Sequence, residues 1–121
     1  MTTQGNPAKD NGTHQLLVKE ILNRKHLKFK LPKENQEANI YISFRNHEDE
    51  PGWIDVKIYK LHGAFCVSLE YNGHEIIAEI FENGQKAISE IYLEMEDVIN
   101  EWKLSEFIVD DVAEPTYGWT R

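Results

Sequence analysis

Four carboxylates, Glu90, Glu94, Asp97 and Glu101, follow one another at steps of four, three and four, so any helix that contains them carries them along one side. Like charges at that spacing repel by about 0.2–0.5 kcal/mol per pair. Lys86, four residues before Glu90, softens that repulsion at one end only. Such a row holds no nucleophile and no base partnered to one. Its chemistry is electrostatic, and a line of carboxylates can stand in for a phosphate backbone before a basic groove. An ordinary solvated helix face has the same pattern. Leu93 projects among these polar neighbours, as single exposed leucines commonly do.

Other candidates for chemistry are weaker. Cys66, the single cysteine, sits in the strand-like run Phe65-Cys66-Val67-Ser68-Leu69 without the His and the positive field that activate a thiol. His47-Glu48-Asp49-Glu50 offers metal-compatible side chains in consecutive loop positions, which is not a ligand spacing. His62 and His74 fall beside turns at opposite ends of one strand pair, too far apart for a common site. Glu70 and Glu75 face each other across a hairpin and read as an exposed repelling pair rather than a general acid and base. There is no Gly-rich phosphate loop, G-x-S-x-G, C-x-x-C or H-E-x-x-H. Catalytic residues, metal ligands and cofactors are therefore not expected, and the chain reads as a non-enzyme.

The net charge of −8 is unevenly distributed. After residue 60, Lys86, Lys103 and Arg121 stand against thirteen carboxylates, which are expected to gather on one side. The excess of cations lies at the amino-terminal end, where Arg24, Lys25, His26, Lys28 and Lys30 cluster around Phe29. Phe29 is in phase with Leu27 and Leu31, so it belongs with a core rather than a base-stacking platform. Overall negative charge also opposes direct nucleic-acid binding. The longest apolar runs fall far short of the roughly 20 residues needed to span a bilayer, and the amino terminus does not resemble a signal peptide. A lone cysteine fits a reducing compartment. A cytoplasmic, membrane-free protein is the expectation.

Periodicity supplies the elements that must position these groups. Thr13 caps a short helix with Leu17, Ile21 and Leu22 at helical spacing, ending near Asn23 or Arg24. Period-two alternation predicts strands at Leu27–Leu31, Ile40–Arg45 and Ile54–Tyr59. Asn72-Gly73 supplies the positive φ angles of a two-residue hairpin turn. That turn pairs Tyr71 with His74, Leu69 with Ile76, Val67 with Ala78 and Phe65 with Ile80, leaving Cys66, Ser68, Glu70, Glu75, Ile77 and Glu79 on the other face. Residues 85–103 read as the main helix, with Ile88, Ile91, Tyr92, Met95, Val98, Ile99 and Trp102 as its apolar stripe. A last strand covers Phe107–Val109.

The fold class predicted is α+β: an antiparallel five- to six-stranded meander sheet, with a short N-terminal helix and a longer helix in the C-terminal half packed on one face. Residues 1–12 read as a flexible tail, 13–112 as a single domain and 113–121 as an aromatic tail whose Tyr117 and Trp119 either fold back or anchor a partner. One sheet face stays open to water, with Tyr41, Ser43, Arg45, Asp55, Lys57, Tyr59, Ser68 and Glu70 on it.

The functional expectation is a small acidic protein that binds and neutralises a protein with a basic surface, such as a nucleic-acid-acting enzyme. By charge and size alone, nuclease-toxin immunity proteins and phage inhibitors that mimic nucleic acid work in this style. The expected contact residues are Glu90, Glu94, Asp97 and Glu101, together with Tyr41, Tyr59 and Trp119. The alternative is an adaptor or structural subunit that uses the open face with Tyr41 and Tyr59, toward a partner or a second copy in a homodimer. Behind both stands a small-ligand protein with a cavity lined by Phe44, Phe65, Tyr92 and Met95.

Overall fold

The computed structural model describes residues 15–23, 30–113 and 115–119 of the 121-residue chain. In order, they form a 3-10 turn at Val18–Leu22, β1 (Gln36–Arg45), β2 (Pro51–Leu61), β3 (Ala64–Tyr71), β4 (His74–Phe81), α1 (Gly84–Glu101), β5 (Ile108–Val112) and β6 (Thr116–Trp119). The expected tail at 1–12 lies outside the described residues.

Short connections make β1 to β4 an antiparallel meander, because strands joined by tight turns pair with their neighbours. The β3–β4 turn has φ of 51° at Asn72 and 84° at Gly73, the positive values this turn type needs. α1 starts at an N-cap, Asn83, whose side chain accepts from the Lys86 N–H, and runs back over β3 and β4. The chain then returns to the far side of β1. There β5 pairs with Ile42–Arg45 and β6 with Gln36–Asn39, completing a six-stranded antiparallel sheet of order β4-β3-β2-β1-β5 with β6 alongside β1. The α+β class is as expected.

One face of the sheet carries the core. Ile40, Ile42 and Phe44 of β1, Ile54, Val56 and Ile58 of β2, and Val67 and Leu69 of β3 are buried in one cluster with Ala87, Ile91, Met95, Val98 and Ile99 of α1, Val18 and Ile21 of the 3-10 turn, and Leu104. Burying each large aliphatic side chain contributes about 1.5–3 kcal/mol, so this layer contact dominates stability. Phe44 closes one end, stacked with Tyr71 at 6.3 Å between ring centroids. Among the described residues, no element lies over the opposite face.

Several local expectations need correction. The amino-terminal element is a 3-10 turn rather than an α-helix, and its core residues are Val18 and Ile21, three apart as that geometry requires. Thr13 lies outside the described residues. Leu17 instead bridges Ile108, while Glu20 accepts a hydrogen bond from the Leu17 N–H at 2.8 Å. Of the strand expected at Leu27–Leu31, positions 27–29 lie outside the described residues, and Lys30 and Leu31 belong to no strand. Trp102 is not part of the buried stripe: it is the C-cap of α1, half exposed, with its ring 5.4 Å from that of Tyr71. Within residues 113–121, Thr116–Trp119 take the first of the two arrangements expected and fold back, though as a strand, β6, where Tyr117 exchanges two hydrogen bonds with the backbone of Lys30.

The hairpin register is the most consequential correction. Tyr71 pairs with His74 and Glu70 with Glu75 as expected, but a bulge between Leu69 and Glu70 makes Ile76 an extra residue. Leu69 then pairs with Ile77, Val67 with Glu79 and Phe65 with Phe81. An added residue reverses the facing of all that follows. Glu79 thus moves to the α1 side, and Ala78 and Ile80 move to the open face, opposite Ser68 and Cys66.

Candidate acidic docking surface

α1 carries Glu90, Glu94, Asp97 and Glu101 on the side that looks over β4, as helical spacing requires. Glu90 and Glu94 are half-buried, and Asp97 and Glu101 are exposed. The bulge brings Glu79 to this side as a fifth carboxylate. The Glu94 pKa is raised above the usual carboxylate range, first by partial burial, then by the fields of Asp97 and Glu90, a hydrogen bond with Glu90, and the field of Glu79. None of these five forms an ion pair among the described residues. Beside them runs a groove of about 570 Å³ lined by Ile76, Glu94, Asp97, Val98, Glu101 and Trp102. An acidic wall, an aliphatic side chain and a half-exposed indole thus meet at the junction of helix and edge strand.

Of the thirteen carboxylates beyond residue 60, Glu114 lies outside the described residues, and the other twelve are not gathered on one side, contrary to expectation. Glu106 binds Lys19 at 2.8 Å, and Asp110 binds Arg45 at 2.6 Å. Glu70 and Asp111 lie on the open face, opposite Asp55 and Ser43. Glu96 lines a separate depression with Leu22 and Tyr92. What is concentrated is the row of five at the edge of β4.

The open face places Tyr41, Asp55, Lys57, Tyr59, Cys66, Ser68 and Glu70 together as expected, and adds Trp53, Ala78 and Ile80. Tyr41 is 39% exposed and Ile80 71%. Tyr59 hydrogen-bonds to Cys66, which with the field of that group raises the phenol pKa. These residues border a depression of about 380 Å³ with Glu37, Lys57 and Ser68. Trp119 is apart from both surfaces, 68% exposed on β6 and paired with Gln36. The two expected surfaces are therefore distinct, and Trp119 joins neither.

Phe44, Phe65 and Met95, expected to line a ligand cavity, are buried in the core, and Tyr92 is partly buried against it. His47 packs edge-on against Phe107 at 5.6 Å, and Asp49 is held by Arg45. No group of three or more His, Cys, Asp or Glu among the described residues is placed to hold a metal ion. No helix among them is long and apolar enough to cross a membrane. Sequence reasoning missed Glu79 and Ile76. The signal was present in Glu79-Ile80-Phe81, where unbroken alternation turns Phe81 away from the core and Glu79 away from α1.

A scan against protein-family models matches none, and searches of curated proteins and of solved structures return no match.

Proposed function

We propose that this protein binds, and by covering it neutralises, a protein with a basic surface, through the carboxylates along α1 and β4. The observation that carries the reading is that Glu79, Glu90, Glu94, Asp97 and Glu101 lie together without an ion pair among the described residues, beside a groove that exposes Trp102 and Ile76. Their mutual repulsion opposes their own fold by a few tenths of a kcal/mol per pair, about 0.2–0.5. A cationic partner relieves that cost, and also gains apolar contact in the groove. A nucleic-acid-acting enzyme presents the required basic cleft, and its occlusion would be inhibition without chemistry.

The test is capture from native lysate by the immobilised protein at low and high ionic strength, beside the triple variant Glu90→Lys, Glu94→Lys, Asp97→Lys. A basic partner held at low salt, released at high salt and lost from the variant is the expected result. A partner retained equally by the variant overturns the reading.

A second reading is favoured by the exposure of Ile80 and Tyr41 on the open face. In it the protein is an adaptor that docks that face through apolar contact, including Tyr59. Binding would then resist salt and fall with Tyr41→Ala or Tyr59→Ala.

A further inference from the structure

The sheet is not equally finished at its two sides. Beyond β1, the outer edge is taken up by β5 and β6, strands of five and four residues. At the other end stands β4, eight residues long, and among the described residues no strand pairs with its outer side. Unpaired N–H and C=O groups along such an edge are a template for another strand. The bulge at Ile76 interrupts this edge beside the turn, but from Ile77 to Phe81 the strand is regular and apolar apart from Glu79, and Ile80 is 71% exposed.

We propose that the outer edge of β4 receives an extended segment of the partner as an added strand, with Lys or Arg at alternate positions facing Glu79 and the α1 carboxylates, and small apolar residues between them facing Ala78 and Ile80. This rests on the reading of the acidic row as a partner surface and specifies what binds there. Alternation follows from β4 itself, whose Glu79 faces α1 while Ala78 and Ile80 face the open side. The dimensions agree. Glu90 to Glu101 rises about 16 Å along the helix axis, and three alternate lysines span about 13 Å along a strand, a difference that flexible lysine stems absorb.

Charge selects the occupant. Pairing β4 with β4 of a second copy would bring Glu75, Glu79 and both acidic rows together in a dimer of chains that each carry −8. A basic strand meets the same groups with attraction, so one set of carboxylates rejects self-association and admits the partner. Main-chain pairing then supplies affinity, and alternate side chains supply choice.

The probes are a capped peptide of alternating lysine and valine, two versions of it N-methylated on one or the other alternate set of amides, and oligolysine of equal charge. Binding is followed by fluorescence anisotropy at low salt, and β4 by amide hydrogen exchange. The alternating peptide is expected to bind and to slow exchange in β4, and methylation of one set alone to weaken it by about tenfold or more. Glu90→Lys with Glu94→Lys is expected to abolish binding of all four probes. Equal binding of both methylated peptides and oligolysine, with β4 exchange unchanged, overturns strand addition while leaving the acidic surface standing, provided the reversal variant loses them. Binding that survives charge reversal, or no binding of any probe, overturns the acidic-surface reading and strand addition with it.

Discussion

Glu79 on β4 adds its negative field to that of Glu94 on α1, across the junction between sheet edge and helix. The two are brought together by a single extra residue, Ile76, in the hairpin. A backbone irregularity therefore decides where charge accumulates, and the consequences are measurable without a partner.

The raised pKa of Glu94 means that the folded protein holds a proton there which the unfolded chain releases. Its contribution to stability therefore falls as pH rises through the interval from the unfolded to the folded pKa. Glu94→Gln is expected to raise the melting temperature at neutral pH and to match the parent below about pH 3, where the carboxyl is protonated in both states. Partial burial acts first and the like-charge neighbours one turn away add about 0.2–0.5 kcal/mol per pair, so the expected effect is small. Thermal melts of both proteins across this pH range check it. A difference that persists unchanged in acid would deny its electrostatic origin.

Glu34 has the opposite sign. Its carboxylate accepts from the N–H groups of Gly63 and His62 in the β2–β3 turn, and the Gly63 bond chiefly holds its pKa below the usual range. Stability from this group is present above the unfolded carboxylate pKa and is lost as pH falls through the folded one. Glu34→Gln is expected to lower the melting temperature at neutral pH, with the two curves converging in acid. Amide exchange at His62 and Gly63 should speed up in the variant at neutral pH, and an unchanged rate there would refute the account.

Tyr117 ties β6 to the segment before β1, donating to the Lys30 carbonyl and accepting from the Lys30 N–H at 3.0 and 2.7 Å. Tyr117→Phe removes both bonds at a partly exposed site where water can replace them. The expected loss is about 0.5–1.5 kcal/mol in chemical denaturation. Faster exchange should be confined to β6 and its partners Gln36–Asn39. Loss of structure throughout the sheet would show that β6 does more than finish an edge.

How far the chain announces this architecture depends on which residues carry redundant signals. Ile40, Ile42 and Phe44 alternate without interruption, and Asn72-Gly73 fixes a turn by its φ requirements, so the central strands and the start of the hairpin follow from local chemistry. The Ile76-Ile77 doublet removes that redundancy, because either isoleucine can serve as the inward one, and the choice was settled by Phe81 reaching the core and not by anything beside the turn. Leu16 to Leu22 has enough apolar residues for a helix of either period, and backbone bonds from Val18 and Lys19 to Phe107 and Ser105 fix it as a 3-10 turn. Those partners lie far along the chain. The acidic row on α1 was readable because helical spacing alone places it, whereas Glu79 depends on the bulge and the groove depends on where β4 meets the helix. β6 escaped notice because four residues with a central glycine, Thr116-Tyr117-Gly118-Trp119, give a strand too few alternations to show.

Two glycines separate a rigid neighbour from a yielding one. A Cβ on Gly52 would stand 2.5 Å from Cε1 and 2.9 Å from Cζ of Phe44. That ring is 2% exposed and held between Tyr71 and Phe107, so it has nowhere to go. Gly52→Ala must therefore displace backbone or break the aromatic stack, at a cost of about 1–3 kcal/mol. A Cβ on Gly84 would also clash, but with the methyl ends of Leu31, a half-buried side chain before β1 that can change rotamer. Gly84 opens α1 with an ordinary helical backbone, where alanine also restricts the unfolded chain, a gain of about 0.4–1 kcal/mol that offsets the clash. Gly52→Ala should consequently destabilise clearly more than Gly84→Ala in urea titrations, and near-ultraviolet circular dichroism should change only for the former. Equal effects would mean that Phe44 is as free to move as Leu31, and that the aromatic end of the core is looser than its burial implies.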